Sequence, residues 1–594
     1  MGPSTARLEI RQRDASQAPG ATPGAALPDN LHPVVRRVLA ARGVAPQQLE
    51  LGLARLLPVG QLPGVQAAAD RLAEARTRGE RVLVIGDFDT DGATATTLAL
   101  HCLRAFGYDD PGFLVPDRFH LGYGLSPGIA ELAARQTAGR KPQLLLTVDN
   151  GITSVEGVRR ARELDMDVLI TDHHLAADEL PRDVVIVNPN LPDSRFGSPA
   201  LCGVGVAFYV FAATGRRLAE LGLIDATLAR EAVTACLDLV ALGTVADLVP
   251  LDYNNRILVA EGLRRIRAGR TRPGIEALFR VAGRDPARAQ AADLGFAIAP
   301  RLNAAGRLTD MTLGVNCLLA TDAGRAGEQA TELDVLNAER RSLQTRMQDE
   351  AGELLAGLPE ADAGTAPCLF DERWHQGVVG LVASRLREHT GLPAIAMARA
   401  EEAGWLRGSA RSVPGVHVRD AIATAVATLP AAAAARVRFG GHAMAAGLSI
   451  PEEDAAAFRK AWAEAVASAL GAATVDGIEA GVNVVWIDGS LAAADFGLEL
   501  AATLHDHGPW GQGFPEPLFD NRFMIRDQRV VGSRHLKLKV QPESGGPVLD
   551  GIAFNREPLG CTPGHPLRLL YRLDINDYRG SRTVQLVVEH VESV

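Results

Sequence analysis

Acidic and histidine side chains follow three short apolar runs in the first third of the chain. These side chains are Asp87, Asp89 and Asp91 in GDFDTDG (86–92), Asp149 in VDNG (148–151), and His173 and His174 in TDHH (171–174). Carboxylates with imidazoles and without thiolates suit hard to borderline divalent cations, Mn²⁺ first and Mg²⁺ next. So many anionic ligands favour two ions, roughly 3.5–4 Å apart, that activate a water against a phosphodiester. The pattern predicts metal-assisted phosphoester hydrolysis.

Each loop also has an ordinary structural interpretation. An Asp after a strand is often a turn former or a helix N-cap, and most histidines are structural rather than metal ligands. The Asp87 loop resembles the calcium loop D-x-D-x-D-G, but Leu98 stands where the bidentate glutamate should be, which excludes an EF-hand. If the three loops meet, the ordinary interpretations weaken, because packed like charges need a neutralising cation.

The elements that must position these side chains are strands of a mostly parallel α/β sheet. Apolar runs at 81–85, 143–148, 167–171 and 184–187 have the length of buried strands, and amphipathic segments of helical character separate them. Ligands of open α/β sheets bind outside the carboxyl ends of the strands, so the three loops should converge. Asp247 is a lone carboxylate in an apolar segment and is either a further ligand or a buried helix-end cap.

Changes in composition divide the rest of the chain. Expected divisions are a flexible Pro/Ala/Gly/Ser-rich tail (1–30), a catalytic α/β domain with an N-terminal extension (31–320), a connector helix (321–358), a second α/β domain (359–471), and a domain of short alternating strands (472–594). Gly and Pro density at 508–517 marks a boundary, and the pattern beyond it favours a small β-barrel of the oligonucleotide-binding (OB) type.

Composition excludes several classes of protein. The 594 residues are 47% hydrophobic and 22% charged, enough for several folded cores. No apolar stretch approaches the roughly 18 residues of a membrane span, and the N-terminus lacks the apolar core of a secretory signal. The six cysteines form no C-x-x-C pair, which argues against a disulfide scaffold or structural zinc. We expect a cytoplasmic protein.

The net charge disfavours one mode of DNA binding, and the positions of the lysines exclude one class of DNA-dependent motor. The net charge of −10 disfavours coating of duplex DNA by one broad basic surface. The only lysines are Lys141, Lys460, Lys537 and Lys539, and none follows a glycine. A G-x-x-x-x-G-K-[ST] phosphate loop is therefore absent, which excludes a P-loop ATPase or helicase motor.

Together the motifs resemble the DHH phosphoesterase family, and within it the bacterial exonucleases specific for single-stranded DNA. The resemblance covers nearly the whole chain after residue 30. One segment, His120-Leu121-Gly122-Tyr123-Gly124, departs from the family pattern of an acidic residue before GYG, which leaves the role of this loop in substrate entry open. The motifs are GDFDTDGATATT (86–97), LTVDNGI (146–152), TDHH (171–174), LGTVADLVPL (242–251), PRLNAAGRL (300–308), WHQGVVGLVASRL (374–386), GSARS (408–412), FGGHAMAAGL (439–448) and PWGQGFPEPLF (509–519).

The resemblance implies a role for each site residue. It implies that His174 faces the scissile phosphate as a charge stabiliser or proton donor, and that Asp91 supports catalysis by orienting its loop. It also implies phosphate binding by the second α/β domain, which is similar to the DHH-associated domain (DHHA1); a glycine-kinked strand is the plainer interpretation there. Arg301 and Arg307 would reach nucleic acid or be ordinary surface arginines. The implied metal ligands are Asp87, Asp89, Asp149 as a bridge, His173 and Asp247, and the implied phosphate-binding residues are Ser409, Arg411, Gly440, Gly441 and His442.

The function implied by the resemblance is 5′-to-3′ hydrolysis of single-stranded DNA in repair and recombination, with two Mn²⁺ or Mg²⁺ ions. The strand would pass between the two lobes and be held by the barrel of a monomer. Family analogy suggests a single-strand-binding protein and a helicase as partners. The alternatives are a small-substrate DHH phosphoesterase, acting on short RNA oligomers or cyclic dinucleotides, and a non-catalytic scaffold. The first generally lacks the third domain, and the second should lack ligands.

Overall fold

The computed structural model of the chain forms two compact units, Arg13–Arg340 with Asp488–Val594, and Met1–Gln12 with Arg341–Ile487. The segment 120–124, which departs from the family pattern, lies outside the residues that the structure describes except for Gly124. The described residues are 8–14, 27–116, 124–135, 141–176, 179–356, 366–374, 376–400, 402–472, 474–475, 478–479, 483–532, 534–578 and 581–593.

The strands of these residues form a parallel sheet, a mixed sheet, a closed barrel and two small pairs. In chain order they are β1 (Leu8–Gln12), β2 (Val82–Ile85), β3 (Gly112–Leu114), β4 (Leu144–Val148), β5 (Asp167–Thr171), β6 (Val185–Val187), β7 (Cys368–Phe370), β8 (Ala394–Arg399), β9 (Trp405–Arg411), β10 (Arg438–Gly441), β11 (Ala445–Pro451), β12 (Thr474–Val475), β13 (Ile478–Glu479), β14 (Asn483–Ile487), β15 (Phe519–Val531), β16 (His535–Pro542), β17 (Leu549–Ala553), β18 (Pro566–Tyr578) and β19 (Ser581–Ser593).

Nine of the helices in the described residues, α6 to α14, lie in the chain between the last strand of the parallel sheet and the first strand of the mixed sheet, and a π-helical turn (Leu294–Ile298) precedes α12. In chain order they are α1 (Pro33–Ala40), α2 (Val65–Arg78), α3 (Thr90–Ala105), α4 (Pro127–Arg135), α5 (Val155–Glu163), α6 (Gly203–Glu220), α7 (Ala226–Thr234), α8 (Leu237–Ala246), α9 (Tyr253–Arg267), α10 (Pro273–Val281), α11 (Ala291–Asp293), α12 (Ala299–Leu308), α13 (Thr312–Leu319), α14 (Ala323–Ala356), α15 (Val379–Thr390), α16 (Val418–Ala427), α17 (Ala431–Ala434), α18 (Ala455–Ala472) and α19 (Leu498–Asp506).

The first unit is built on the parallel sheet, with strand order β3-β2-β4-β5-β6. Its central strands are almost entirely buried and mostly apolar because both faces are covered. Val84 and Leu146 pack on the side of α2, α3 and α6, whereas Leu83, Leu145 and Ile170 pack on the side of α4 and α5. The predicted parallel α/β sheet is confirmed.

The same unit contains the closed barrel, with strand order β15-β16-β17-β19-β18. β17 and β19 pair in parallel, and the other pairs are antiparallel. Leu536, Leu538 and Val540 of β16 are buried, while the lysines between them point outward. This alternation closes a five-stranded barrel around an apolar centre and confirms the predicted OB type.

The second unit is built on the mixed sheet β10-β11-β9-β8-β7, in which only β7 and β8 are parallel. Ile395, Met397 and Leu448 share one apolar cluster with α16 and α18. Ala394 and Ala396 share the other with α15. The helix expected over 321–358 is α14.

The N-terminal expectation needs a correction. Residues 1–30 were expected to form a flexible tail, but Leu8–Gln12 form β1, which pairs in parallel with Asn483–Ile487. The partner strand lies over 470 residues away, so no local pattern reveals it. The described parts of the chain contain no helix that is long and apolar enough to cross a membrane, and all six cysteines are free thiols.

Asp488 follows β14 and anchors two arginines inside the first unit. Its Oδ1 lies 2.6 Å from Arg42 Nη1, its Oδ2 lies 3.2 Å from Arg13 Nη1, and its side chain has no exposed surface. Asp488→Ala would leave the Arg42 guanidinium buried beside no carboxylate. We expect the free energy of unfolding to fall by about 3–5 kcal/mol, measured by urea denaturation.

The matched control for this prediction is Asp29→Ala. Asp29 also pairs with an arginine, Arg36, but its side chain is 99% exposed, and exposed pairs contribute little to stability. The prediction is wrong if the Asp488 variant loses no more stability than the Asp29 variant.

Candidate metal centre

The first acidic loop turns directly from β2 into α3. Asp89 is the N-cap of α3, and its Oδ1 accepts a hydrogen bond from Gly92 N at 3.0 Å. Asp87 Oδ1 accepts one from Phe88 N at 2.7 Å. A Cβ at Gly92 would lie 2.6 Å from Asp87 Cβ, so this glycine allows Asp87 to fold against the first turn of the helix.

Asp149 follows β4 in a backbone conformation unusual for a residue with a side chain. Its φ is +64°, in the left-handed region, which costs about 1–2 kcal/mol for most residues and less for Asp. Its backbone N donates to Thr171 O at 3.0 Å. A Cβ at Gly203, the first residue of α6, would lie 2.4 Å from Asp149 Oδ1. The strained turn and this glycine together place the carboxylate against the start of α6.

Asp172 orients both histidines after β5. It is buried, and its Oδ1 accepts hydrogen bonds from His173 N at 2.7 Å and His174 N at 3.1 Å, and lies 2.7 Å from His174 Nδ1. Its Oδ2 accepts one from Ile152 N at 2.9 Å. The carboxylate of Asp172 therefore fixes both the backbone of the Asp172-His173-His174 segment, here called the DHH segment, and the ring of His174.

His173 lies where the three loops meet. Its Nε2 is 3.1 Å from Asp149 Oδ1, 3.5 Å from Asp247 Oδ2 and 4.0 Å from Asp91 Oδ2. Asp247 is the C-cap residue of α8, and its carboxylate faces the cluster. Three overlapping groups of potential ligand atoms each lie within 4.8 Å of one another: Asp149 with His173 and His174, Asp91 with His173 and Asp247, and Asp87 with Asp89 and Asp149.

The electrostatics of the cluster fit a divalent cation. Burial, and then repulsion by Asp91, raises the pKa of Asp149 well above its usual value. Burial and Asp89 raise the pKa of Asp87 to about 7, and burial and Asp91 raise that of Asp247 to about 8. Burial, and then His174, lowers the pKa of His173 to about 4. Because a cation would offset the mutual repulsion of the carboxylates, this set of oxygens with a neutral imidazole fits Mn²⁺ or Mg²⁺.

The two histidines differ in charge. Burial is the largest single influence on His174 and lowers its pKa, but the hydrogen bond to Asp172 and the charges of Asp172, Asp247 and Asp87 together raise the pKa to about 9. Burial likewise raises the pKa of Asp172, but the hydrogen bond and charge of His174, with backbone donors, together bring it below its usual value. These opposite shifts favour the imidazolium form of His174 and the neutral form of His173.

Asp91 connects the first acidic loop to the start of α6. It is fully buried, and its two oxygens accept hydrogen bonds from the backbone N of Gly203 at 2.6 Å and of Val204 at 2.9 Å. These groups are the free amides at the N-terminus of α6, which a carboxylate stabilises. The contact ties the loop that carries Asp91 to the start of α6.

Two residues of the NAAGR segment in α12 support the first acidic loop, and the sequence analysis missed both. Asn303 Oδ1 accepts hydrogen bonds from Thr90 N and Thr90 Oγ1, each at 2.8 Å. A Cβ at Gly306 would lie 1.8 Å from Phe88 O. Asp172 and Gly203 were also missed. Asp172 and NAAGR lay in noted motifs, whereas nothing in the sequence around Gly203 signals its role.

The two arginines predicted to contact nucleic acid differ in placement. Arg301 is buried, its Nη1 donates to Ala297 O at 2.5 Å, and its Nη2 lies 2.9 Å from Asp334 Oδ1. We therefore correct its assignment: it packs α12 against α14 rather than presenting its charge to nucleic acid. Arg307 is exposed and follows Gly306.

The predicted phosphate-binding residues lie together on the mixed sheet of the second unit. Ser409, Gly447 and Gly440 are neighbours across β9, β11 and β10. A Cβ at Gly440 would meet nothing within 4 Å, and one at Gly447 would meet only Gly408 O at 3.9 Å. Arg411 Nη1 donates to Ser409 Oγ at 2.8 Å. Ser409, Gly447 and Gly440 thus form an open strip of the sheet, in which no side chain covers the glycine backbone, beside the Arg411 guanidinium. Gly441 and His442 continue this strip and are exposed.

Asp172→Asn tests how far the DHH segment depends on this carboxylate. The amide would present donors to backbone N–H groups that now donate to Asp172. We expect the affinity for Mn²⁺ to fall about 10- to 100-fold, as when outer partners of metal-binding histidines are lost, measured by titration calorimetry. Asp183→Asn, an exposed aspartate between β5 and β6, is the control. Equal affinities of both variants would contradict the role.

Three family models match successive parts of the chain. They are described as the DHH family, N-terminal domain (residues 81–244), the DHHA1 domain (364–468) and the RecJ OB domain (487–590). The first contains the β2, β4 and β5 loops, and the second contains the open strip of the mixed sheet. The third matches the closed barrel together with the segment that leads into it.

Several proteins are similar over almost their full length. The single-stranded-DNA-specific exonucleases RecJ of Salmonella typhimurium and Escherichia coli are each 46% identical, over 98% of this chain and 99% of the relative. Crystal structures of RecJ from Thermus thermophilus in complex with Mn²⁺ and Mg²⁺ superpose with TM-scores of 0.74 and 0.69, at 29% and 27% identity. They cover 99% of this chain, and 80% and 79% of those chains. With a DHH domain, a DHHA1 domain and a RecJ OB domain in this order, the chain belongs to the RecJ family of DHH phosphoesterases.

Proposed function

We propose that the chain is a metal-dependent exonuclease that hydrolyses single-stranded DNA from its 5′ end, in DNA repair and recombination. The observation that carries the proposal is the convergence of Asp149, His173 and Asp247 with the Asp87 loop at one end of the sheet. Relatives with 46% identity are named single-stranded-DNA-specific exonucleases, and the barrel and the open strip suit a polymeric substrate.

Five side chains hold the metal ions in this proposal. Asp149 belongs both to a group with the histidines and to the group with Asp87 and Asp89, which supports a bridging role. His173 and Asp247 complete the set. Two bound Mn²⁺ or Mg²⁺ ions would supply an activated water and stabilise the charge that develops on the phosphate oxygens.

His174 is the proposed group that faces the substrate. Its side chain is 46% exposed, beside His173, with a ring-centroid distance of 4.5 Å. Asp172 holds its Nδ1, so the ring is oriented before substrate arrives. In that position the imidazolium stabilises negative charge on the scissile phosphate or gives a proton to the leaving oxygen.

The contacts to the DNA backbone are proposed for residues of both units. Arg307 is exposed on α12, beside the loop that carries Asp87. In the mixed sheet, Ser409 and Arg411 would bind phosphate oxygens, the latter through its guanidinium fork. Gly440 would let a phosphate approach the strand backbone closely, because a Cβ there would meet nothing within 4 Å. Gly441 and His442 would bind the same phosphates from the exposed end of this strand.

The domain division, cellular setting and partners are further parts of the proposal. The family models fall within the divisions 31–320, 359–471 and 472–594, with 321–358 as a connector helix. A monomer in the cytoplasm, working with a single-strand-binding protein and a helicase, fits an enzyme that needs single strands produced by others.

Two rival functions fit less well. A small-substrate DHH phosphoesterase does not need the match to a RecJ OB domain over 487–590. A non-catalytic scaffold is disfavoured because all five predicted ligands occur and meet in one cluster.

Digestion of end-labelled oligonucleotides with Mn²⁺ tests the proposal. A 5′-labelled single strand should release labelled mononucleotide at once, and a 3′-labelled strand should shorten through a ladder. A blunt duplex of the same sequence should resist. Release of mononucleotide first from the 3′ label would overturn the polarity, and equal digestion of the duplex would overturn the specificity.

A further inference from the structure

A groove of about 630 Å³ lies beside the metal cluster, within the first unit. It is lined by Leu248 after α8, by Phe296 of the π-helical turn, by Arg264 and Arg267 of α9, and by Trp510. We call it the Phe296 groove. None of these residues has a part in the function proposed above.

Two large apolar side chains of the groove are unusually exposed. Phe296 is 85% exposed, although Leu294 and Ile298 in the same turn are fully buried. Leu248 is 67% exposed and has a φ of +59°, a conformation that a leucine adopts only at an energetic cost. π-helical turns and strained residues occur often at functional sites, and both side chains line the same groove.

One wall of the groove adjoins the metal cluster along the chain, and the opposite wall adjoins the barrel. Leu248 directly follows Asp247, whose Oδ2 lies 3.5 Å from His173 Nε2. On the other side the wall belongs to the segment that leads to β15, and Gln512 O of that segment accepts a hydrogen bond from Leu251 N at 2.7 Å. The groove thus borders both the proposed site of hydrolysis and the domain matched by the RecJ OB family.

The chemistry of the lining suits single-stranded nucleic acid. An aromatic face with adjacent guanidinium groups is the combination that binds bases by stacking and phosphates by charge. Trp510 forms a side of the groove and is held in place, since it stacks on Phe514 at a centroid distance of 5.0 Å and its Nε1 donates a hydrogen bond to Leu504 O. Phe296, in contrast, offers most of its ring to a ligand.

We infer that the Phe296 groove binds the bases of the DNA strand next to the scissile phosphate, with one base stacked on Phe296 and its neighbour against Leu248. The inference rests on the proposed function and adds the path of the substrate to it. Phe296 acts as a binding residue, so its loss should weaken binding of the strand without removing metal.

The test compares Phe296→Ala with Phe296→Tyr and with Leu228→Ala, in the full-length protein. Leu228 is an exposed leucine of α7, 45% exposed and outside the groove lining. The readout is the Kd for a fluorescein-labelled single strand of about 20 nucleotides, longer than the site of one OB fold, measured by anisotropy in EDTA so that hydrolysis does not interfere. The Ala variant should bind about tenfold more weakly, the loss expected for one stacked base. The Tyr variant and the Leu228 control should bind like the wild type.

A second measurement locates the stacked base. Strands with a single abasic site at each of the first six positions should bind the wild type most weakly at one position. That penalty should disappear in Phe296→Ala, because the stacking partner is already lost. An unchanged Kd in Phe296→Ala, or an abasic penalty that persists in it, would overturn the inference and favour a protein partner for the groove. Neither result touches the proposed function, which is tested separately by the digestion of end-labelled strands with Mn²⁺.

Discussion

Asp149→Asn is expected to lower the rate of single-strand digestion by at least about 10³-fold, since a bound metal supplies several kcal/mol to the transition state. Asp149 is shared by two groups of potential ligand atoms and lies 3.1 Å from His173 Nε2. Asparagine has nearly the same shape and tolerates a left-handed backbone, so the fold should persist while the bridging charge is lost. Initial rates with Mn²⁺ measure the effect.

The matched control is Asp165→Asn. Asp165 also has a positive φ, +53°, but its side chain is 94% exposed and pairs with Lys141 at 3.7 Å. This variant should digest DNA at the wild-type rate. If Asp149→Asn retains more than a tenth of the wild-type rate at saturating Mn²⁺, Asp149 is not the bridge.

Gly203→Ala should be the second most damaging substitution, although glycine has no chemistry of its own. The added Cβ would lie 2.4 Å from Asp149 Oδ1 and 2.5 Å from Asp149 Cγ, which is too close for any pair of such atoms. The carboxylate must move, and a displacement of about 1 Å at a catalytic group can cost about 10²-fold in rate. The digestion rate should therefore fall by about that factor, and the Mn²⁺ affinity should fall with it.

Gly205→Ala provides the control within the same helix. Its Cβ would meet Leu201 Cδ1 at 2.5 Å and Cγ at 2.9 Å, atoms of an apolar side chain, and no ligand of the cluster. A thermal denaturation curve for both variants separates lost activity from lost folding. Equal activities of folded Gly203→Ala and Gly205→Ala would show that the close approach to Asp149 has no catalytic role.

The parts of the fold that sequence predicts are those with strong local patterns. Four apolar runs separated by helical segments specify a parallel sheet, and the end of each strand places Asp87, Asp149 and His173 at one edge. The alternation in β16 specifies a strand of a barrel. In both cases the signal lies within a few consecutive residues. The structure follows it with two exceptions: the sheet has a fifth strand, β3, that was not predicted, and the described residues between β5 and β6 form no helix.

The remaining features depend on contacts between distant segments. Gly203 matters only because α6 starts against Asp149, and Asn303 only because α12 lies against Thr90. The strand β1 exists through its pairing with β14. Arg301 was misassigned because its partner Asp334 lies on a separate helix. Such contacts leave no periodic or compositional trace, so a single sequence does not reveal them.

The most direct test of the metal centre is anomalous diffraction at the manganese edge from crystals grown with Mn²⁺. We expect two peaks within coordination distance of the cluster, with Asp149 contacting both and Asp87, Asp89, His173 and Asp247 completing the ligands. No peak at the cluster in crystals of protein that digests single strands, or peaks bound elsewhere, would contradict it.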